Sequence, residues 1–179
     1  MGGAWKRSKL PVPDRPGLRP TPDRVRETLF NWLGQTLDGW RCLDAFAGTG
    51  ALGFEAASRG AAEVVLLERD PALATLLAES KARLHADAVR IERTDALHWM
   101  ARGVNVPFDL VLLDPPFDQP LALPALMAAS RIVVEGGLVY IESPKAIDAE
   151  AASAAGLEVF RASRAGAVHF QLLRRIGAI

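Results

Sequence analysis

From residue 40 onward the chain alternates short apolar runs with amphipathic stretches, and this alternation limits the possible folds more than any other feature. The apolar runs are Arg41 to Phe46, Glu63 to Glu68, Ala88 to Arg93, Asp109 to Asp114, Leu138 to Glu142, Leu157 to Ser163 and Val168 to Leu173. Their length and β-branched content predict strands. Helix-like segments separate the first six: Ala51 to Arg59, Pro71 to Leu84, Ala96 to Arg102, Leu121 to Ser130 and Ala146 to Ala155. Strands alternating with helices predict an α/β fold, a doubly wound, mostly parallel seven-stranded sheet with helices on both faces. Only Arg164 to Ala167 lie between the last two runs, too few for a crossover helix, so these are expected to close as an antiparallel C-terminal hairpin.

The region before residue 40 reads differently. Pro11, Pro13, Pro16, Pro20, Gly2, Gly3 and Gly17 break regular structure and predict an extended arm over residues 1–20, mobile unless something holds it. Thr21 or Asp23 is expected to cap a helix whose apolar positions Val25, Leu29, Trp32 and Leu33 share one face and which ends near Gly34. Formal net charge is zero over 179 residues, yet residues 1–26 carry seven cationic side chains against two acidic ones. A basic arm on an acidic body is a footprint of nucleic-acid binding, with Lys6, Arg7, Lys9, Arg19, Arg24 and Arg26 as the candidate contacts. The length suits one domain, here residues 21–179, and half of the residues are hydrophobic, enough for a substantial core. No apolar stretch reaches the ~20 residues of a membrane span and no signal peptide is recognisable, so a cytoplasmic protein without membrane partners is expected. A single cysteine, Cys42, excludes an internal disulfide and a cysteine-based zinc site, and the scattered His85, His98 and His169 suggest no metal centre.

Two segments carry chemistry. Gly48, Gly50 and Gly53 match G-x-G-x-x-G between the first strand and the following helix, where glycines let a ligand approach the backbone. Glu68 ends the second strand twenty positions after Gly48, where a carboxylate can accept hydrogen bonds from ribose hydroxyls. Both nicotinamide dinucleotides and S-adenosylmethionine fit these features. Asp44, at the tip of the first strand, would repel a pyrophosphate but suits an ammonium and a sulfonium, which tilts the reading toward S-adenosylmethionine. Asp95 stands at the tip of the third strand, placed either to bond an adenine amino group or simply to cap the next helix.

The fourth strand delivers Asp114-Pro115-Pro116-Phe117 at its carboxyl end. The two prolines remove N–H donors, so the turn offers acceptors, the Asp114 carboxylate and the Pro115 carbonyl, which suit a planar NH₂ group. Accepting both hydrogens helps such an amine pyramidalise toward a methyl donor, and Phe117 can stack on the ring that bears it.

The combination Asp44-x-Phe46-x-Gly48-x-Gly50 with Asp114-Pro115-Pro116-Phe117 resembles the class I methyltransferases that act on exocyclic amines. With Gly17-Leu18-Arg19-Pro20-Thr21 and Arg24-Val25-Arg26-Glu27-Thr28-Leu29-Phe30-Asn31 upstream, the chain resembles the RsmD family more narrowly, over nearly its whole length. Those bacterial enzymes methylate guanine N2 in 16S ribosomal RNA. The resemblance implies a Rossmann-like domain and S-adenosylmethionine as cofactor, held by Asp44, Phe46, Gly48, Gly50, Glu68 and Asp95. It also implies a target base met by Asp114, Pro115 and Phe117. The partner would be 16S ribosomal RNA, free or within an assembled small subunit, and the enzyme a metal-free monomer. Family members have a short strand before the position of Gly2 and a glycine in place of Ser8, so either the start is shortened or the edge strand pairs differently. The same turn chemistry leaves a DNA adenine or a protein glutamine amide as alternative targets. A nicotinamide-dependent oxidoreductase, or an RNA-binding module without catalysis, is a further reading, although no proton-donating Tyr-Lys or His arrangement accompanies the glycine turn.

Overall fold

The seven apolar runs build one sheet. In the computed structural model, which describes residues 1–16 and 18–177, the strands are β1 Arg41–Asp44, β2 Glu63–Glu68, β3 Val89–Arg93, β4 Phe108–Leu113, β5 Val133–Ser143, β6 Leu157–Ala165 and β7 Val168–Arg175. Gly17, in the arm, and Ala178 and Ile179, at the end of the domain, lie outside the described residues. The strand order is β3-β2-β1-β4-β5-β7-β6. Strands β3, β2, β1, β4 and β5 are parallel, and β7 runs antiparallel to both β5 and β6. The doubly wound sheet and its closing hairpin are those the alternation predicts.

The helices are α1 Asp23–Leu33, α2 Ala51–Ser58, α3 Pro71–Leu84, α4 Ala96–Ala101, α5 Ala122–Ser130 and α6 Ala149–Ala154. Period-two alternation along each strand sends neighbours to opposite faces, so the core splits into two layers. On one face Leu66, Leu112, Tyr140 and Leu172 pack against Leu29 and Phe30 of α1, Phe54 of α2 and Leu77 of α3. On the other, Leu43, Val65, Val139 and Ile141 meet Trp99 of α4, Leu126 of α5 and Ala152 of α6. Cys42 is fully buried and burial pushes its thiol up to about 12, so it serves as a small apolar core residue.

Local expectations fail where a non-local contact wins. Neither Thr21 nor Asp23 caps α1: the N-cap is Pro22, without a side-chain bond, because the Thr21 hydroxyl faces two acidic side chains instead. Strand β1 ends at Asp44, which leaves Phe46 in the turn. Strand β5 starts at Val133, five residues before the expected Leu138, since Val133 pairs with Phe108 across the Gly136-Gly137 pair that reads as a turn.

The arm is fastened to the domain. Gly3–Trp5 forms a single 3₁₀ turn, the Gly2 N–H donates to Glu55 Oε1 (2.8 Å), and the Trp5 N–H donates to Ser58 Oγ (2.8 Å). The Trp5 ring meets Phe54 edge-on at 6.4 Å, so this tryptophan anchors the arm. Farther along, Arg83 donates to the Lys9 carbonyl and Arg15 pairs with Asp70 at 2.8 Å. Together these contacts bring the end of the arm across the carboxyl edge of the sheet.

Candidate active site

The chain leaves β1 for β2 on one side and returns from β3 to β4 on the other, so strand order reverses between β1 and β4 and opens a crevice at their carboxyl ends. A cavity of about 880 Å³ lies there. Its walls include Asp44, Phe46, Gly48, Glu68, Asp95, Asp114, Pro115 and Phe117, so eight of the nine residues expected to meet cofactor or base converge on one space. Arg19 of the arm and Thr21 at the start of the domain also line it. The volume lies within the range of a small-molecule site.

The ninth residue, Gly50, is not part of the wall. It precedes α2 with φ +84°, and a Cβ there would lie 2.5 Å from Phe54 Cδ2 and 2.8 Å from Leu77 Cδ2. Its side therefore faces the core, and glycine is needed there for backbone conformation and packing. Gly53 is constrained by contact alone: a Cβ would sit 2.1 Å from Leu66 Cδ2, and its N–H donates to Asp44 Oδ2 at 2.9 Å.

Each acidic tip on this half of the site also holds the fold. Asp44 is buried, and desolvation, reinforced by Glu68 and Glu142 nearby, pushes its carboxyl up to about 7 despite the Gly53 bond. Glu68 accepts the Gly48 N–H on Oε2 (3.0 Å) and the Asp70 N–H on Oε1 (2.8 Å), which shapes the glycine turn while leaving lone pairs for further donors. Asp95 is exposed and caps α4 through the His98 N–H at 2.9 Å, with its other oxygen not engaged by that bond.

The other half contains a group that the sequence reading missed. Glu142, at the end of β5, follows Ile141, which is in register with Leu113, so it stands beside Asp114 on the adjacent strand. Its side chain is 0% exposed. Arg19 Nη2 donates to Asp114 Oδ1 (3.1 Å) and to Glu142 Oε2 (3.4 Å), while its guanidinium carbon lies 4.0 Å from the centre of the Phe117 ring. Thr21 Oγ1 lies 3.5 Å from Asp114 Oδ2 and from Glu142 Oε1, and its one proton can serve only one of them at a time. Tyr140 completes the cluster by donating to Glu142 Oε1 at 3.0 Å. Burial and mutual repulsion hold the Asp114 carboxyl well above the usual carboxylate range, with Arg19 opposing; burial likewise raises Glu142. Two crowded carboxylates with one cation between them favour any further donor that enters. An arginine NH₂ is thus held beside the Asp-Pro-Pro-Phe turn, with Asp114 and Glu142 as its two acceptors.

The basic residues divide by environment. Lys6, Arg7, Lys9 and Arg24 are exposed and make no ion pair among the described residues. Arg26, also among the candidate contacts, bridges Asp23 (2.7 Å) and the buried Glu55 (3.4 Å). Ser143 is buried and bonds the Lys145 carbonyl outside the cavity wall.

This geometry has counterparts in known proteins. A family model described as Conserved hypothetical protein 95 matches residues 1–174. The protein of Escherichia coli (strain K12) named Ribosomal RNA small subunit methyltransferase D is 45% identical over 145 residues, covering 80% of this chain and 73% of that one. Its namesake in Haemophilus influenzae is 42% identical over 150 residues, covering 81% and 78%. The chain belongs to the RsmD family. A solved structure described as a putative methyltransferase yhhF from Escherichia coli superposes with TM-score 0.85 at 36% identity, over 99% of this chain and 97% of that one. Membership in this methyltransferase family, with this fold, implies use of S-adenosylmethionine. The groups lining this RsmD-family site suit that molecule: a buried carboxyl at Asp44, acceptors at Glu68 and Asp95, and an apolar wall from Phe46, Leu73 and Leu97.

Proposed function

We propose that the chain transfers a methyl group to the N2 amine of a guanine in small-subunit (16S) ribosomal RNA. The observation that carries the reading is the placement of an NH₂ group, Arg19 Nη2, between two carboxylates over an aromatic face and beside the cavity. Relatives named as ribosomal RNA small subunit methyltransferases support the choice of substrate.

Asp44 would hold the ammonium of S-adenosylmethionine, Glu68 its ribose hydroxyls and Asp95 its adenine amine, with Phe46 and Gly48 shaping the contact surface. When bound, that sulfonium would supply an electrophilic methyl, whose bond to sulfur would break as the bond to N2 forms, the electron pair staying on sulfur. Phe117 stacks on the target ring and fixes its height. Asp114 accepts one N2–H and stabilises the positive charge that develops on nitrogen. The methylated amine then loses its extra proton to solvent or to a crowded carboxylate of this cluster, whose raised proton affinity suits it to the task. Lys6, Arg7, Lys9 and Arg24 supply exposed cations for RNA phosphates. Arg19 faces the site itself.

The test is product analysis. Unmodified small-subunit RNA, free and assembled into subunits, is incubated with methyl-labelled cofactor and digested to nucleosides. N2-methylguanosine is the expected product, whereas label in N6-methyladenosine or in protein alone overturns the reading.

A further inference from the structure

Glu142 lies outside every motif described above and outside the cavity wall, yet it is fully buried beside Asp114, and its hydrogen-bond partners are all donors: Arg19, Thr21 and Tyr140. Burying a carboxylate is costly without such partners, and its most exposed partner is the Arg19 side chain, 40% exposed. The chemistry of that partner is informative. The carbon of a guanidinium bears three nitrogens, and so does C2 of guanine; both present a planar edge of adjacent N–H donors. In this structure the guanidinium carbon lies 4.0 Å from the centre of the Phe117 ring, and one of its nitrogens, Nη2, donates to both Asp114 and Glu142.

We propose that Glu142 is the residue that selects guanine: it accepts the N1–H and the adjacent N2–H of the target base as a forked pair, while Asp114 accepts the other N2–H, and Arg19 holds this place until the base displaces it. The inference rests on the guanine-N2 reading above and adds the residue that reads the ring.

The discrimination follows from the donor pattern. Guanine offers three hydrogens along this edge, N1–H and both N2–H, to two carboxylates. Adenine and cytosine flank their amines with a ring nitrogen that accepts, so a lone pair would face the buried Glu142 and leave an acceptor unmade. A carboxylate takes adjacent parallel donors in a fork, as it does for arginine. Tyr140 donates to Glu142 Oε1, with the Thr21 hydroxyl shared between that oxygen and Asp114, which orients the carboxylate. Displacing Arg19 removes the cation paired with both carboxylates, and the three incoming N–H donors replace its hydrogen bonds.

The experiment uses the full chain and small-subunit RNA. The guanine methylated by the unaltered protein is mapped first; if none is found, the functional reading fails and the role of Glu142 falls with it for that separate reason. The mapped position is then replaced by 2-aminopurine, which keeps the amine but turns N1 into an acceptor, and single-turnover methyl transfer is compared. The unaltered protein should prefer guanine by roughly 10- to 100-fold, the range for one hydrogen bond to a charged group. Glu142→Gln can donate to that N1, so it should slow guanine methylation and narrow the preference to within about 3-fold. Asp114→Asn should slow both substrates and keep the ratio. Equal rates on guanine and 2-aminopurine in the unaltered protein overturn the proposal with no variant needed. So does a folded Glu142→Gln protein, checked by thermal melting and cofactor binding, that retains the full preference.

Discussion

Asp114→Asn separates the cost of building the site from the chemistry it performs. In the folded chain the Asp114 carboxylate is only 16% exposed and stands near Glu142 and Asp44. Its proton affinity is raised by burial first and by Glu142 second, so at neutral pH the ionised form opposes folding. An amide of equal size removes that opposition. It also loses the Arg19 contact at 3.1 Å, but Arg19 is 40% exposed, so the pair contributes about 0–1 kcal/mol after screening. Arg19 keeps Glu142 and the Phe117 face. The melting temperature at pH 8 should therefore hold or rise, by about 2–4 °C for each kcal/mol of relieved repulsion. The rate should move the other way. A charged acceptor aimed at a nitrogen that becomes positive in the transition state contributes about 3–4 kcal/mol, so kcat should fall roughly 10²- to 10³-fold while cofactor affinity changes little. Single-turnover methylation at saturating cofactor, with calorimetric melting of the same sample, reads both quantities. A variant as fast as the unaltered protein, or one whose loss of rate tracks a loss of folded protein, refutes the reasoning.

Gly50→Ala should act on the fold: φ +84° and contacts at 2.5 and 2.8 Å imply a loss of about 2–4 kcal/mol, roughly 5–15 °C in melting temperature, with cofactor affinity below the transition nearly unchanged by calorimetry. Because burial pushes Asp44 up to about 7, binding a cationic ammonium requires deprotonating it below that pH, so cofactor affinity should rise up to tenfold per unit from pH 5 to 7 and flatten above; Asp44→Asn should weaken binding and remove the slope. Replacing the exposed Lys6, Arg7, Lys9 and Arg24 by alanine should flatten the dependence of log K on log salt for RNA by ~0.7 to 0.9 per lost contact, whereas Arg26→Ala should chiefly lower stability by stripping the buried Glu55 of a partner.

The architecture was legible because it follows from short-range pattern. A parallel strand buried on both faces must be a short continuous apolar run, and a crossover helix must separate it from the next, so sequence order nearly dictates the sheet. Boundaries failed where pairing overrode composition. Glu135-Gly136-Gly137 has the residues of a turn, yet Val133 finds Phe108 beside it and β5 extends through the glycines. Pro22 likewise caps α1 with no side-chain bond, since the Thr21 hydroxyl is drawn 93 residues along the chain to Asp114 and 121 to Glu142.

The same distinction divides the site. The glycine turn and the Asp-Pro-Pro-Phe turn are local devices at strand tips, and their chemistry can be read from consecutive residues. Glu142 has no such motif. Its one signal was an acid that ends an otherwise apolar strand, Leu138 to Ile141, and only the register of β5 against β4 turns that into a neighbour of Asp114. Arg19 was counted with the cations expected to meet phosphate. Its environment argues otherwise, because a side chain seeking phosphate gains nothing from lying on Phe117 between two carboxylates. An arm fixed by Gly2, Trp5 and Arg15 delivers it there, so the arm contributes to the reacting end of the site as well as to any RNA surface. Removal of the arm should therefore impair methyl transfer even on RNA bound at saturation, which charge neutralisation at Lys6, Arg7 and Lys9 alone should not do.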